Sequence, residues 1–138
     1  ALDDLAGKMD RVVIDAPCTG TGTWRRRPDT KWKLTPELLS QRVAEQAAIL
    51  SEGMTYLKAG GTLIYITCSI LPEENDDQIA AFRAAHPDFV SVPPETLWRE
   101  AFGTALPAGI ETSQAGIKLT PRLTGTDGFY LNAMKRPA

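Results

Sequence analysis

Apolar positions in this chain fall into short continuous runs and longer helical stripes, and the two kinds alternate. Val12, Val13 and Ile14 form a β-branched run ending at Asp15, followed by Ala-Pro-Cys-Thr-Gly-Thr-Gly. This pattern predicts a buried strand with a loop at its carboxyl end. A helix signal comes next, with Thr35 as N-cap, Pro36 at the first helical position, Glu37 in the first turn, and Gly60 and Gly61 as the stop. Leu39, Val43, Leu50, Met54 and Leu57 give that helix its apolar stripe. Leu63, Ile64, Tyr65 and Ile66 then form a second continuous strand, which runs out at Thr67, Cys68 and Ser69.

Pro72, Glu73 and Glu74 open a second helix, with acidic residues at its positive end and Ile79 and Phe82 on one face; it stops before Pro87. Phe89 to Val92 fits a third strand. From Pro93 to Gly128 the composition turns to Pro, Gly and Thr with little periodicity, and only a short strand near Ile117 to Leu119 can be placed. Phe129 to Met134 fits a last strand. The order strand, helix, strand, helix, strand predicts an α/β domain with a parallel sheet covered on both faces.

Composition agrees with a single soluble domain: 138 residues, 43% hydrophobic, which is enough to bury a core without disulfide or zinc support. No apolar run approaches the ~20 residues of a membrane span, and the acidic start ALDDLAGKMD is unlike a secretion signal, so a reducing, cytoplasmic setting is expected. The net charge of −2 disfavours indiscriminate nucleic-acid binding. Its distribution changes that picture. Arg25, Arg26, Arg27, Lys31 and Lys33 against Asp29 make segment 25–33 locally +4, which leaves −6 elsewhere. Three consecutive arginines with Trp32 interleaved point to nucleic-acid contact, the alternative being a solvated loop.

The two cysteines are the candidate chemistry. In an open parallel sheet, ligands bind beyond the carboxyl ends of the strands. Cys18 follows the first strand and Cys68 ends the next, so neighbouring strands would bring both thiols and Asp15 to one crevice. Burial as small core residues is the plain alternative, although core cysteines favour mid-element positions. A disulfide is disfavoured by the compartment, and zinc by the lack of four closely spaced ligands. His86, beside Pro87, reads as a surface residue. The glycines of Thr19-Gly20-Thr21-Gly22 match neither a P-loop nor GxGxxG, and their simplest use is a sharp backbone turn.

These motifs resemble a known family. DAPCTGTGTWRRRPDTKW (15–32) is similar to motif IV of the RNA cytosine-C5 methyltransferases of the rRNA Sun/Fmu type, and TLIYITCSILPEEN (62–75) to their motif VI. GTDGFYLNAMKR (125–136) resembles the family's closing strand. The resemblance implies S-adenosylmethionine as methyl donor and RNA, in particular rRNA, as substrate. It implies Cys68 as the nucleophile that adds to C6 of cytosine, and Cys18 as the base that assists release. Asp15 would hold the cytosine through N3 and its exocyclic amine, and Asp15 and Pro17 would border the cofactor. Arg25, Arg26, Arg27, Lys31 and Lys33 would hold flanking phosphates, and the arginines would lower the thiol pKa values. No metal is implied.

The family's Gly-rich cofactor loop and ribose-binding acids lie upstream of motif IV and have no counterpart here. Residues 1–138 are therefore expected to be the C-terminal part of a catalytic domain, inactive alone. The expected fold is a partial Rossmann-like methyltransferase sheet, mostly parallel, with helices on both faces and a last antiparallel strand. The first strand reads as an interior one, so its free edge should be covered by the missing half, another copy, or the chain's own irregular segment. The second reading is a noncatalytic RNA-binding or assembly module that keeps the motifs. A cysteine hydrolase is disfavoured because no base accompanies the nucleophile.

Overall fold

The computed structural model describes residues 2–113 and 115–138. Its first strand, β1 (Met9–Asp15), pairs in parallel with β2 (Leu57–Thr67), and α1 (Pro36–Tyr56) connects them. Next come α2 (Asp76–Ala85), the two-residue β3 (Val90–Ser91) and α3 (Pro94–Phe102). The short β4 (Glu111–Thr112), β5 (Gly116–Leu119), α4 (Pro121–Thr124) and β6 (Phe129–Lys135) complete the chain. The sheet order is β1-β2-β6-β5-β4, with β3 also on β6. β6 runs against β2, β3 and β5, and β4 runs against β5, so β1, β2, β3 and β5 share one direction. The expected α/β sheet, mostly of one direction with an antiparallel last strand, is therefore present.

The two sheet faces are buried differently. On β2, Leu63 and Tyr65 are fully buried and join Ile14, Leu50, Ile79, Phe82, Tyr130 and Met134 in the core beneath α1 and α2. The alternate residues Ile64 and Ile66 point the other way, as the period of two requires. There they line an apolar cleft of about 520 Å³, together with Leu97, Trp98 and Phe102 of α3. Both faces thus carry a helix, one packed tightly and the other loosely.

Several boundaries differ from the sequence expectation. The first helix stops at Tyr56 rather than at the glycines, because Leu57 is fully buried and already pairs with Met9. Gly60 and Gly61 instead lie inside β2, where the register jumps from Met9↔Leu57 to Arg11↔Thr62. Gly60 takes a positive φ of 73° that lets the extra residues loop out. A 3-10 turn over Pro72–Glu74 precedes α2 proper. The third strand shrinks to Val90–Ser91. The unpatterned segment contains α3, whose apolar residues share one side and which ends on Gly103 in the left-handed conformation. His86 is half-buried between the rings of Phe82 and Phe89 rather than a free surface residue.

The outer edge of β1 has no partner strand among the described residues, and Val13 beside it is 61% exposed. Among the described residues the irregular segment supplies no strand there, because its β5 and β4 extend the sheet beyond β6, toward the opposite end. Among the described residues no helix is long and apolar enough to cross a membrane.

Candidate active site

The parallel pairing of β1 with β2 carries Asp15 level with Ile66, so both strands deliver their following loops to one end of the sheet. The Ala16 amide donates to the Ile66 carbonyl at 2.9 Å and extends that register into the first loop. The result is a close approach of two distant residues. Cys18 Sγ and Cys68 Sγ lie 3.3 Å apart, both as free, half-buried thiols.

The thiols are inequivalent. A hydrogen bond from Cys18 lowers the Cys68 pKa to about 7, against burial and the nearby negative charges of Asp15 and Glu74. The same bond raises the Cys18 pKa well above the ordinary thiol range, and burial adds to the rise. Near neutral pH, Cys68 is therefore the sulfur that ionises, and Cys18 is the proton donor that steadies it. The lowering comes from Cys18. The arginines expected to provide it are not among its causes.

A backbone seam fixes the loops. The Gly22 amide donates to the Cys68 carbonyl at 2.9 Å, and the Gly128 amide donates to the Gly22 carbonyl at 2.8 Å. All three motifs of the sequence meet at this point. A Cβ on Gly22 would lie 2.2 Å from the Gly128 carbonyl oxygen, so the approach itself demands glycine. Gly20 supplies the turn, with a positive φ of 70°. The hydroxyls of Thr21 and Ser69 meet at 3.0 Å, and the Ile70 amide donates to Thr21. Asn75, fully buried, accepts from the Thr67 hydroxyl and donates to the Ser69 carbonyl.

Asp15 stands exposed at the end of β1, beside the cysteine loops. Pro17 is half-buried, and its carbonyl accepts from Gln46 Nε2 at 2.8 Å. The sequence pattern marks Glu74 only as one of the acids opening the second helix and gives Gln46 no role. Both are fully buried and touch the Pro17–Thr19 loop. The one available signal was position: Gln46 lies on the helix face between Val43 and Leu50, where an apolar residue would be routine.

The basic residues lie on an exposed 3-10 turn, Pro28–Lys33, and the arginines preceding it. They do not form one uniform patch. Arg26 is committed to Asp127 through Nε at 3.0 Å and Nη2 at 2.9 Å, and Lys33 pairs with Asp29 at 3.2 Å. Lys31 Nζ sits 5.7 Å from the ring centres of both Trp24 and Trp32. Arg25 and Arg27 are exposed. Among the described residues, no three His, Cys, Asp or Glu side chains group as a metal site would need.

Comparisons with known proteins identify the family and match the fold. The family model described as 16S rRNA methyltransferase RsmB/F matches residues 1–135. Ribosomal RNA small subunit methyltransferase B of Photorhabdus laumondii is 42% identical over 124 residues, covering 89% of this chain and 25% of that protein. The crystal structure of PH0851 superimposes with a TM-score of 0.83 at 28% identity, over 99% of this chain and 29% of the other. A methyltransferase homolog protein from Pyrococcus horikoshii superimposes with a TM-score of 0.71 at 25% identity, over 98% of this chain and 41% of the other. This chain spans about a quarter of the length of the curated relatives it matches. With a family model covering nearly its whole length and the paired cysteine loops in place, the chain belongs to the RsmB/F family of 16S rRNA methyltransferases.

Proposed function

We propose that this chain is the C-terminal, nucleophile-bearing part of a catalytic domain that methylates cytosine C5 in ribosomal RNA, using S-adenosylmethionine. The observation that supports this reading is the 3.3 Å contact between Cys68 and Cys18, which lowers the Cys68 pKa to about 7 and so favours its thiolate. Carbon 5 of cytosine is a poor nucleophile until something adds to C6. The Cys68 thiolate forms the C6–S bond, the C5=C6 electron pair moves to C5, and the Asp15 carboxylate steadies the ring by accepting from the exocyclic amine and from N3 in its protonated form. S-adenosylmethionine, when bound, supplies the electrophilic methyl group. The exposed Asp15 and the half-buried Pro17, beside the cysteine loops, would stand at its border.

The coupling of the thiols orders their roles. Once Cys68 is bonded to carbon it carries no charge, so the main cause holding the Cys18 pKa high disappears. Cys18 then ionises more readily, just when a base is needed. It takes the C5 proton, the C5=C6 double bond re-forms, and Cys68 leaves as thiolate. The target base must be reached from a loop or flipped out of its stack. Arg25, Arg27 and Lys31 would hold the flanking phosphates, and the free edge of β1 would take the rest of the catalytic domain or another copy.

Trapping tests this reading. RNA containing 5-azacytidine should form a covalent adduct with the chain and with Cys18→Ala, but not with Cys68→Ala. An adduct that survives Cys68→Ala would overturn the assignment of the nucleophile. No adduct with the unaltered chain, alongside retained RNA binding, would favour the noncatalytic module instead.

A further inference from the structure

Glu74 is a carboxylate with no exposed surface, at a position where the acids of a helix start ordinarily face solvent; its neighbour Glu73 does. Burying a charge is costly unless it is fully hydrogen-bonded, so the partners of Glu74 show what it is for. The Thr19 amide donates to Oε1 at 2.8 Å, and the Thr19 hydroxyl donates to Oε2 at 2.5 Å. Gln46 Nε2 donates to Oε1 at 3.0 Å and to the Pro17 carbonyl at 2.8 Å. Gln46 is itself fixed, accepting from Gln78 Nε2 at 3.3 Å, and the Glu74 carbonyl accepts from the Tyr65 hydroxyl at 2.7 Å. Cys18 therefore sits between two residues clamped by one buried pair. Glu74 follows Cys68 by only six positions, so the clamp ties the first cysteine's loop to the second cysteine's own segment.

We propose that Glu74, with Gln46, is a positioning residue that holds Cys18 within hydrogen-bonding reach of Cys68. Its catalytic meaning rests on the function proposed above, but the contact itself does not. The side chain matches the loop: Thr19 presents an amide and a hydroxyl in one direction, and the two carboxylate oxygens take one each. Gln46 completes the clamp from the other side through the one carbonyl that precedes Cys18.

The test is the pH profile of Cys68 alkylation by iodoacetamide in the intact chain, read by peptide mass mapping. Cys18, Asp15 and Glu74 are the groups whose charge or hydrogen bond acts on Cys68. The sign discriminates. Removing the Glu74 charge alone would ease ionisation of Cys68, whereas releasing Cys18 would hinder it. With Cys18 released, Glu74→Ala should move the midpoint upward and slow alkylation at pH 7 about tenfold or more, as expected for a thiol returned to about 8.5. In a Cys18→Ala background the same substitution should add no further slowing. Glu74→Gln keeps an oxygen for the Thr19 amide and Gln46, and its amide can donate to a rotated Thr19 hydroxyl. It should retain the low midpoint. A Glu74→Ala chain that stays folded with an unchanged or lowered midpoint overturns the proposal. If Glu74→Ala does not fold, Glu74→Asp, which keeps the charge but withdraws it by one methylene, should show the upward shift; a wild-type profile there overturns it equally. None of these readings depends on methyl transfer or RNA.

Discussion

The cysteine loops and the basic turn adjoin in sequence, yet they are built on opposite principles. Residues 15–23 and 67–75 are held by buried side chains and a backbone seam, with Thr21, Thr23, Ser69, Glu74 and Asn75 all withdrawn from solvent. Residues 25–33 are almost wholly exposed, with no buried residue in their 3-10 turn, and Trp32 is 82% exposed. Bond-making requires tolerances of tenths of an ångström, and a thiol pair at 3.3 Å is useful only if neither sulfur can drift. Attraction of a polyanion acts over about 10 Å and tolerates adaptable side chains. Rigidity is concentrated where chemistry is proposed, and solvation is left where charge alone suffices.

If that contrast is sound, perturbing the seam should cost far more than perturbing the turn. Gly22→Ala forces a methyl group into the Gly128 carbonyl and should destabilise the chain by about 1–3 kcal/mol or more, measured by urea unfolding. A loss near zero would mean that the three motifs are not locked together there. The next effect is electrostatic. Cys68 alkylation should rise with pH around a midpoint near 7, because the lowered pKa makes thiolate available earlier in the titration. Cys18→Ala removes the donor and should raise that midpoint toward the ordinary thiol range. A profile unmoved by the substitution would show that something other than Cys18 stabilises the thiolate.

The smallest effect on stability belongs to the basic turn. Arg25→Ala with Arg27→Ala should leave urea unfolding unchanged while reducing the slope of log affinity for RNA against log salt by roughly 1.4 to 1.8. Arg26→Ala should change that slope less, since Asp127 already neutralises its charge. It should cost less than about 1 kcal/mol of stability, because the arginine of the pair is mostly exposed. Equal slope changes for Arg25, Arg26 and Arg27 would show that the ion pair opens on binding.

The amphipathic signal of α3 lay in Leu97, Trp98, Ala101 and Phe102, but flanking Pro, Gly and Thr hid a helix of only nine residues. The end of α1 departs from the local signal for a different reason. Gly60 and Gly61 are strong helix stops locally, but pairing of Leu57 with Met9 draws the chain into the sheet first. Glu74 looked like a helix-start acid because sequence reports charge and spacing, not burial.

The sequence by itself determined the alternation of strands and helices, the placement of Cys18 and Cys68 after successive strands, and the concentration of positive charge in 25–33. Those properties depend on local pattern and composition, which a one-dimensional record preserves. Only the tertiary structure decided that the sulfurs meet, that Cys18 rather than an arginine lowers the Cys68 pKa, that Arg26 is spent on Asp127, and that Glu74 and Gln46 grip the loop between them. Each of these joins residues tens of positions apart. Their energies depend on distances and desolvation that exist only once the sheet has brought the loops together.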